Sequence, residues 1–208
     1  MNFYTSDLHL GHANILNYEE SRWNFIGISQ QDAITSYCRD NKIDLEELSE
    51  SWNHIKSEVN NIYTKVFIDK IIKTWNKRIT NQDDIYILGD LFFLGKNLDI
   101  DEANKILFKL NGKKHLIVGN HDDFIRKEKF NKNTLASIDN LKTIKENNNH
   151  IIMCHYPIEI WDRKQYGSIH LYGHVHEMDI SPIPNRYNVG CMLHEFIPKT
   201  LEEIMYNK

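Results

Sequence analysis

The chain lacks three features, each of which would have indicated a class of protein. Its three cysteines (Cys38, Cys154, Cys191) are odd in number and show no paired metal-type spacing, so neither a disulfide framework nor a thiolate metal site is expected. No apolar run approaches the ~20 residues that a membrane-spanning helix needs. A basic stripe is also missing, since 25 basic residues stand against 29 acidic ones. Tight binding to a nucleic-acid backbone or a membrane is therefore not expected.

The length of 208 residues suits a single domain with a sizeable core. No internal repeat or linker divides it. A polar motif already begins at Asp7, which leaves no room for a signal peptide, so we expect a cytoplasmic protein.

Five short polar motifs follow one another, each after a short apolar run. They are Asp7-x-His9, Gly89-Asp90, Gly119-Asn120-His121-Asp122, His155 and Gly173-His174-x-His176. The apolar runs that precede them have the length and the flanking residues of buried strands. Side chains at the carboxyl ends of such strands converge on one crevice. Because Asp, Asn and His bind divalent transition metals, the ordered set predicts a metal site of the kind found in two-metal hydrolases.

Helices are predicted between these strands. The expected ranges are 29–40 and 44–58, where Ser29-x-x-Asp32 resembles a capping box, then 60–78, about 101–110, and a short last helix after Thr200-x-x-Glu203. In the range 60–78 apolar residues recur at helical spacing, and they include Ile62, Val66, Ile68, Ile71, Ile72, Trp75 and Ile79. The lysine-rich stretch 126–149 is polar and carries no predicted strand before residue 150.

The motifs together resemble the calcineurin-like metallophosphoesterases. Connecting segments such as Leu110-Asn111-Gly112-Lys113 and Asn188-Val189-Gly190 are similar to a small branch of uncharacterised bacterial and phage members. The resemblance covers nearly the whole chain except about residues 27–58. It implies an α/β fold, a four-layer αββα sandwich of two mixed sheets with flanking helices, in one domain spanning 1–208. It also implies a site for two divalent ions. Mn²⁺ is the expected metal, and Fe, Ni, Co and Zn are the alternatives.

The resemblance also implies a ligand set for each ion. One ion would take Asp7, His9, Asp90 and His176. The other would take Asp90, Asn120, His155 and His174, so that Asp90 bridges the pair. The implied reaction is hydrolysis of a phosphodiester or phosphomonoester, with a small or nucleotide-like substrate, by in-line attack of a metal-bridging hydroxide on phosphorus.

Residues next to the ligands are candidates for catalysis. His121 follows Asn120, and the resemblance implies that it contacts the substrate, stabilising the phosphoryl oxygens or protonating the leaving group. Asn120 would contact the substrate as well. Asp122 is expected either to fix the tautomer of His121 or to cap a helix that begins there.

Further side chains are candidates for the substrate wall. His12 and Asn14 follow the first ligands and are expected to line the crevice. Arg22 is expected either to bind the substrate phosphate through two hydrogen bonds or to form a surface salt bridge. Tyr156, Trp161 and Arg186 are weaker candidates of the same kind.

The segment 27–58 is expected to be a helical insertion. Its residues 29–58 hold seven acidic and three basic side chains. Two interpretations stay open, a solvated surface hairpin and a cap over the crevice that restricts substrate size.

Two other functions compete with a small-substrate phosphoesterase. A nuclease would need a basic surface or extra DNA-binding domains, which this chain lacks. A metal-site scaffold for protein binding would be expected to have lost ligands or His121, and all of them are present. A serine/threonine phosphatase is disfavoured, because Leu91-Phe92-Phe93-Leu94-Gly95 follows Asp90 in place of the Asp-Arg-Gly of that branch.

Overall fold

A computed structural model describes residues 1–44, 48–178 and 180–206, and it contains two four-stranded sheets. The first sheet is parallel throughout, in the order β1-β2-β3-β4. Its strands are β1 (Asn2–Thr5), β2 (Asp84–Ile87), β3 (Lys113–Ile117) and β4 (Ser137–Asp139). The parallel arrangement brings the carboxyl ends of β1, β2 and β3 to one edge, as the motif order predicts.

The second sheet is mixed, in the order β5-β6-β7-β8. Its strands are β5 (Leu141–Glu146), β6 (Asn149–Cys154), β7 (Ile169–Tyr172) and β8 (Arg186–Asn188). Only the β5–β6 pair is antiparallel, and β6, β7 and β8 run parallel. All five strands predicted before the polar motifs are therefore confirmed.

Strands β4 and β5 were missed, because both lie in or beside the polar stretch 126–149. The side chains of β5 alternate between exposed and half-buried along its six residues. An edge strand of this kind keeps only one weakly apolar face, so its sequence resembles a loop.

Helices fill the connections. The α-helices are α1 (Glu20–Ile26), α2 (Gln30–Asp40), α3 (Leu48–Arg78), α4 (Ile100–Lys109) and α5 (Leu201–Tyr206). The predicted helices 44–58 and 60–78 are one continuous helix, α3, because the chain has no glycine or proline between Leu48 and Arg78 to end it. Of the predicted first helix there, residues 45–47 lie outside the described residues.

Alternation along β1 and β2 divides the core into two layers. Phe3, Ile85 and Ile87 face the helices and pack with Phe67, Ile71 and Trp75 of α3. Tyr4 and Tyr86 face the second sheet and pack with Ile151, Leu171 and Val189. The two sheets therefore pack face to face, with helices on the outer side of the first. Ile62 and Val66, expected in this core, are exposed instead.

The segment 27–58 builds a small core of its own with the chain before it. Ala33, Ile34 and Cys38 of α2 and Ile55 and Val59 of α3 are buried against Leu16 and Trp23. The segment is therefore a surface hairpin whose inner face is buried, and its role as a cap over the crevice stays a prediction. The helix start at Ser29 is confirmed, since its hydroxyl accepts the Asp32 N–H at 3.1 Å.

The capping box of the last helix is confirmed too. The Thr200 N–H donates to Glu203 Oε2 at 2.8 Å, and the Glu203 N–H donates to Thr200 Oγ1 at 3.4 Å. None of the helices in the described ranges combines the length and the apolar character that crossing a membrane would require.

Candidate metal centre

The polar motifs meet where the carboxyl ends of five strands from both sheets come together. The loops after β1 and β2 are joined by backbone hydrogen bonds, from Asp7 N–H to the Gly89 carbonyl at 3.0 Å and from His9 N–H to the Asp90 carbonyl at 2.9 Å. The loop after β7 is joined to the loop after β6 by a 2.9 Å bond from Gly173 N–H to the His155 carbonyl. Main-chain contacts thus hold the candidate ligands together before any side chain is considered.

Five of the candidate ligands have left-handed backbones. Their φ angles are 57° for Asp7, 46° for His9, 54° for Asp90, 71° for His174 and 51° for His176. This conformation is uncommon for residues other than glycine and costs on the order of 1–3 kcal/mol each. The surrounding structure therefore imposes sharp turns at these positions, and each turn directs a side chain into the same space.

The first ligand group consists of Asp7, His9 and His176, whose ligand atoms lie within 4.8 Å of one another. The two Nε2 atoms of His9 and His176 are 3.2 Å apart, and His176 Nε2 is 4.0 Å from Asp7 Oδ1. The Asp7 carboxylate is buried and accepts hydrogen bonds from the Ser6 hydroxyl and from the His174 N–H. Asp7 therefore also links the loop after β1 to the loop after β7.

The second ligand group consists of Asp90, His155 and His174. His155 is fully buried, and its Nδ1 lies 2.7 Å from the Leu88 carbonyl oxygen. Since a carbonyl only accepts, Nδ1 carries the proton and Nε2 presents its lone pair to the centre. That Nε2 is 3.1 Å from Asn120 Oδ1, so Asn120 joins this group as predicted, from an exposed position.

Asp90 lies between the two groups. Its Oδ2 is 3.6 Å from His9 Nε2 in the first group and 3.5 Å from His155 Nε2 in the second. Its Oδ1 accepts the His121 N–H at 2.9 Å. A single oxygen equidistant from both groups has the position that a bridging carboxylate requires.

The chemistry of this donor set fits divalent cations. Burial lowers the pKa of His9 to about 2, and the charge of Arg22 acts in the same direction. Burial also lowers the pKa of His174 and raises that of Asp7. Burial thus favours the neutral forms of His9 and His174, whose ring nitrogens can direct lone pairs into a space lined by the carboxyl oxygens of Asp7 and Asp90. A divalent cation in that space would offset the cost of burying these polar groups. The structure brings together two groups of Asp and His side chains that could hold a metal ion.

Glycine is required at position 89, where the chain makes close contact with a ligand. Its φ is +90°, and a Cβ atom there would lie 2.4 Å from His155 Nδ1. A side chain would both strain the backbone and displace His155 from the Leu88 carbonyl.

His121 lies beside the ligand groups and belongs to neither. Its side chain is exposed, and its ring centroid is 5.4 Å from that of His9 and 5.7 Å from that of Phe93. His12 stacks on Phe93 with centroids 4.0 Å apart and lies 5.9 Å from His9. Asn14 is exposed on a 3-10 helix, Ala13–Asn17. Contact of His121, His12 and Asn14 with a substrate stays a prediction.

Asp122 does neither of the things expected of it. Its buried carboxylate accepts backbone N–H groups from Asp90 and Leu91 at 2.9 Å each and from Gly119 at 2.8 Å. It makes no capping hydrogen bond to the 3-10 helix Asp123–Arg126. The assignment of Asp122 as a catalytic partner of His121 is therefore wrong. It ties the loop after β2 to the loop after β3, because a carboxylate in a dry site needs several donors.

Arg22 is fully buried, which rules out both expectations for it. Its Nη1 donates to the Leu8 carbonyl at 2.8 Å, its Nη2 donates to the Asp7 carbonyl at 3.0 Å, and its Nε pairs with Glu19. It binds the loop after β1 from behind and offers no group to a substrate phosphate.

Glu19 was missed by the sequence analysis. It is buried, and its Oε1 accepts a hydrogen bond from Nδ1 of His176 while its Oε2 pairs with Arg22. Burial raises its pKa, but the hydrogen bond from His176 and the charge of Arg22 outweigh that effect and lower it. The same hydrogen bond raises the pKa of His176. The spacing Glu19-x-x-Arg22 is the one sequence signal, and it is too common on helices to be informative.

The three weaker candidates for the substrate wall, Tyr156, Trp161 and Arg186, differ in their positions. Tyr156 is exposed and contacts the rings of His155 and His174, with centroids 5.0 and 4.7 Å apart, so it borders the second group. Trp161 is buried against Ser168 and does not reach the surface of the crevice. Arg186 donates to the Ser181 carbonyl at 2.6 Å, and its contact with a substrate stays a prediction.

Asn188, in a segment that carried the family resemblance, supports the loop after β7. Its amide donates to the His176 carbonyl at 2.9 Å and accepts the Gly190 N–H at 2.8 Å.

Comparisons with known proteins give likeness without function. No family model matches the chain. An uncharacterised protein of Methanocaldococcus jannaschii is 26% identical over an alignment that covers 98% of this chain and 88% of that protein. The crystal structure of a protein of unknown function from Aquifex aeolicus superposes with a TM-score of 0.59 at 20% identity, over 99% of this chain and 97% of that one. The second likeness supports the α/β fold with its two sheets.

Proposed function

We propose that the chain is a calcineurin-like metallophosphoesterase that hydrolyses a phosphodiester or phosphomonoester with the help of two divalent ions. The observation that carries the proposal is the position of Asp90 Oδ2, 3.6 Å from His9 Nε2 and 3.5 Å from His155 Nε2. One carboxylate between two sets of imidazole and carboxylate donors is the arrangement that a bridged pair of ions needs. Under this proposal the fold is an αββα sandwich of two sheets with flanking helices.

The ligand sets follow from the two groups. Asp7, His9, Asp90 and His176 would hold one ion, and Asp90, Asn120, His155 and His174 the other. When bound, the two ions neutralise the negative charge of a phosphate ester and lower the pKa of water that attacks phosphorus in line. Mn²⁺ is the first choice for such oxygen and nitrogen donors, and Fe, Ni, Co and Zn are compatible with them.

The chain's own residues supply the remaining chemistry. His121 stands at the exposed side of the first group, where its ring can donate a proton to the leaving oxygen or a hydrogen bond to a phosphoryl oxygen. Its own N–H is held by Asp90 Oδ1 at 2.9 Å, which fixes the main chain at this point. Phe93 and His12 on one side and Tyr156 on the other would border a substrate of small size.

The proposal is tested by turnover of bis(p-nitrophenyl) phosphate by metal-depleted protein. We expect little release of p-nitrophenol without metal, restoration by Mn²⁺, and renewed loss with a chelator. A panel of nucleotides, cyclic nucleotides and phosphomonoesters then identifies the substrate class.

The contrary result is equally clear. If neither the diester nor the panel is turned over with Mn²⁺, Ni²⁺, Co²⁺, Fe²⁺ or Zn²⁺, the centre is not that of a phosphoesterase, and the scaffold alternative gains support.

A further inference from the structure

We propose that Glu19 is a positioning residue for His176, which holds the ring so that Nε2 faces Asp7 and His9. The inference deepens the proposed function and rests on it, since the benefit would be tighter metal binding by the first ligand group. Glu19 was not among the sequence-predicted site residues.

The contact with His176 defines both the orientation and the tautomer of the ring. Glu19 Oε1 accepts a hydrogen bond from Nδ1. In the neutral ring the proton lies on Nδ1, so Nε2 keeps its lone pair, and it lies 3.2 Å from His9 Nε2 and 4.0 Å from Asp7 Oδ1. A carboxylate on the far nitrogen of a ligand histidine fixes the ring and increases the basicity of the nitrogen that binds metal.

Glu19 is held in turn by Arg22. The guanidinium pairs with Glu19 Oε2 and uses its two terminal nitrogens on the carbonyls of Leu8 and Asp7. It lies over the rings of Phe67 and Phe196, at 5.0 and 5.4 Å from their centroids. The buried pair therefore joins the loop after β7, through His176, to the loop after β1, through Asp7.

A direct role of Glu19 as a metal ligand is disfavoured by the same contacts. Its two oxygens are each engaged, one by His176 and one by Arg22. Its side chain lies on the far side of the His176 ring from Nε2, because it binds Nδ1. Glu19 therefore acts through His176.

The small core that α2 and α3 form with Leu16 and Trp23 packs behind the Glu19–Arg22 pair. Trp23, one residue after Arg22, donates from Nε1 to the Leu16 carbonyl at 2.7 Å. Leu16 and Trp23 are buried with Ile34 of α2 and Val59 of α3. The insertion thus packs behind the segment that carries Glu19 and Arg22, and so has a structural connection to the first ligand group.

The test compares Glu19→Ala and Glu19→Gln with Glu20→Ala as matched control. Glu20 is the next residue, is exposed, and carries the same charge. Two properties are measured. The tautomer of His176 is read from its ¹⁵N ring resonances in metal-free protein at a pH above the pKa of His176, where the ring is neutral, and Mn²⁺ affinity is read by titration calorimetry.

For Glu19→Ala we expect the His176 ring to lose its pure Nδ1–H form and one Mn²⁺ site to weaken by about 10–100-fold. Glu19→Gln, which keeps the volume of the side chain, is expected to shift both readouts in the same direction by less. Glu20→Ala is expected to match the unaltered protein. If the alanine variant does not fold, the glutamine variant decides the question.

Unchanged tautomer and unchanged Mn²⁺ affinity in a folded Glu19 variant would overturn the inference, as would a protein that binds no Mn²⁺ at all. Turnover keeps the two proposals apart. Weakened Mn²⁺ binding in a protein that hydrolyses no ester supports the role of Glu19 while the proposed function fails. Hydrolysis that survives with unchanged affinity in the variants removes only the role of Glu19.

Discussion

The two ligand groups of the centre are held in place by different means. The first group, Asp7, His9 and His176, is supported from behind by the buried Glu19–Arg22 pair. The second, Asp90, His155 and His174, is supported by the main chain, through the Leu88 carbonyl on His155 and through three N–H groups gathered by Asp122. The first therefore depends on an ion pair between two side chains, and the second on hydrogen bonds between side chains and the main chain.

Exposure differs between the two groups only in the third member of each. Asp7 and His9 in the first group and Asp90 and His155 in the second are buried, whereas His176 is half-buried and His174 is exposed. Asn120 and His121 are exposed as well. We therefore expect a substrate to reach the centre from the side of His174, Asn120 and His121.

Substitution of Asp90, the carboxylate shared by the two ligand groups, is expected to have the largest effect. Because Asp90 lies between the groups, Asp90→Asn should cost both of them their ion. We expect turnover to fall by more than about 100-fold, beyond the range of substitutions behind the ligands. Metal content by elemental analysis and turnover with Mn²⁺ are measured together, with the exposed Asp123→Asn as control. Retention of a full complement of tightly bound metal would show that Asp90 does not bridge.

Removing His121 should leave both groups intact and impair only catalysis. We expect His121→Ala to keep its metal and to lose turnover by about 10²–10⁴-fold, the range for a general acid. Loss of metal from this variant would mean that His121 is a ligand and that its separation from the two groups has no functional meaning.

Asp122→Asn tests whether the second ligand group has a means of support separate from that of the first. The Asn side chain has one oxygen that can accept hydrogen bonds in place of one carboxylate oxygen. Its NH₂ group would replace the other oxygen and would face a backbone N–H, donor against donor. We expect a loss of about 1.5–3 kcal/mol in the free energy of unfolding, typical for a hydrogen-bonded charge. Urea unfolding measures it, again against Asp123→Asn. Mn²⁺ binding at the second group should weaken more than at the first, and an equal weakening of both groups would contradict the separate means of support.

The strands and the meeting of the motifs could be predicted because each ligand follows directly on an apolar run. Chain order and parallel pairing then require convergence, as seen for Asp7, Asp90 and His155. Strands β4 and β5 could not be predicted in the same way, since an edge strand such as Leu141–Glu146 has too few apolar residues to contrast with a loop.

The supporting residues could not be predicted for a different reason. Arg22 was expected to bind the substrate phosphate or to form a surface salt bridge, and Asp122 was expected to fix the tautomer of His121 or to cap a helix. Both are buried and form hydrogen bonds with main-chain groups. A buried charge depends on partners that are distant in sequence, as His176 is from Glu19. Such partners produce no periodic pattern in the sequence from which the burial could be predicted.

Left-handed backbones also restrict how this protein can be redesigned for heat resistance. A designer who idealises a backbone replaces non-glycine residues of positive φ with glycine. Applied to Asp7, His9 or His176, that rule would relax the chain and delete the donor atoms. Lys42, Asn147 and Asn148 share the conformation in turns outside the ligand groups, and thermal tolerance can be sought there without touching the chemistry.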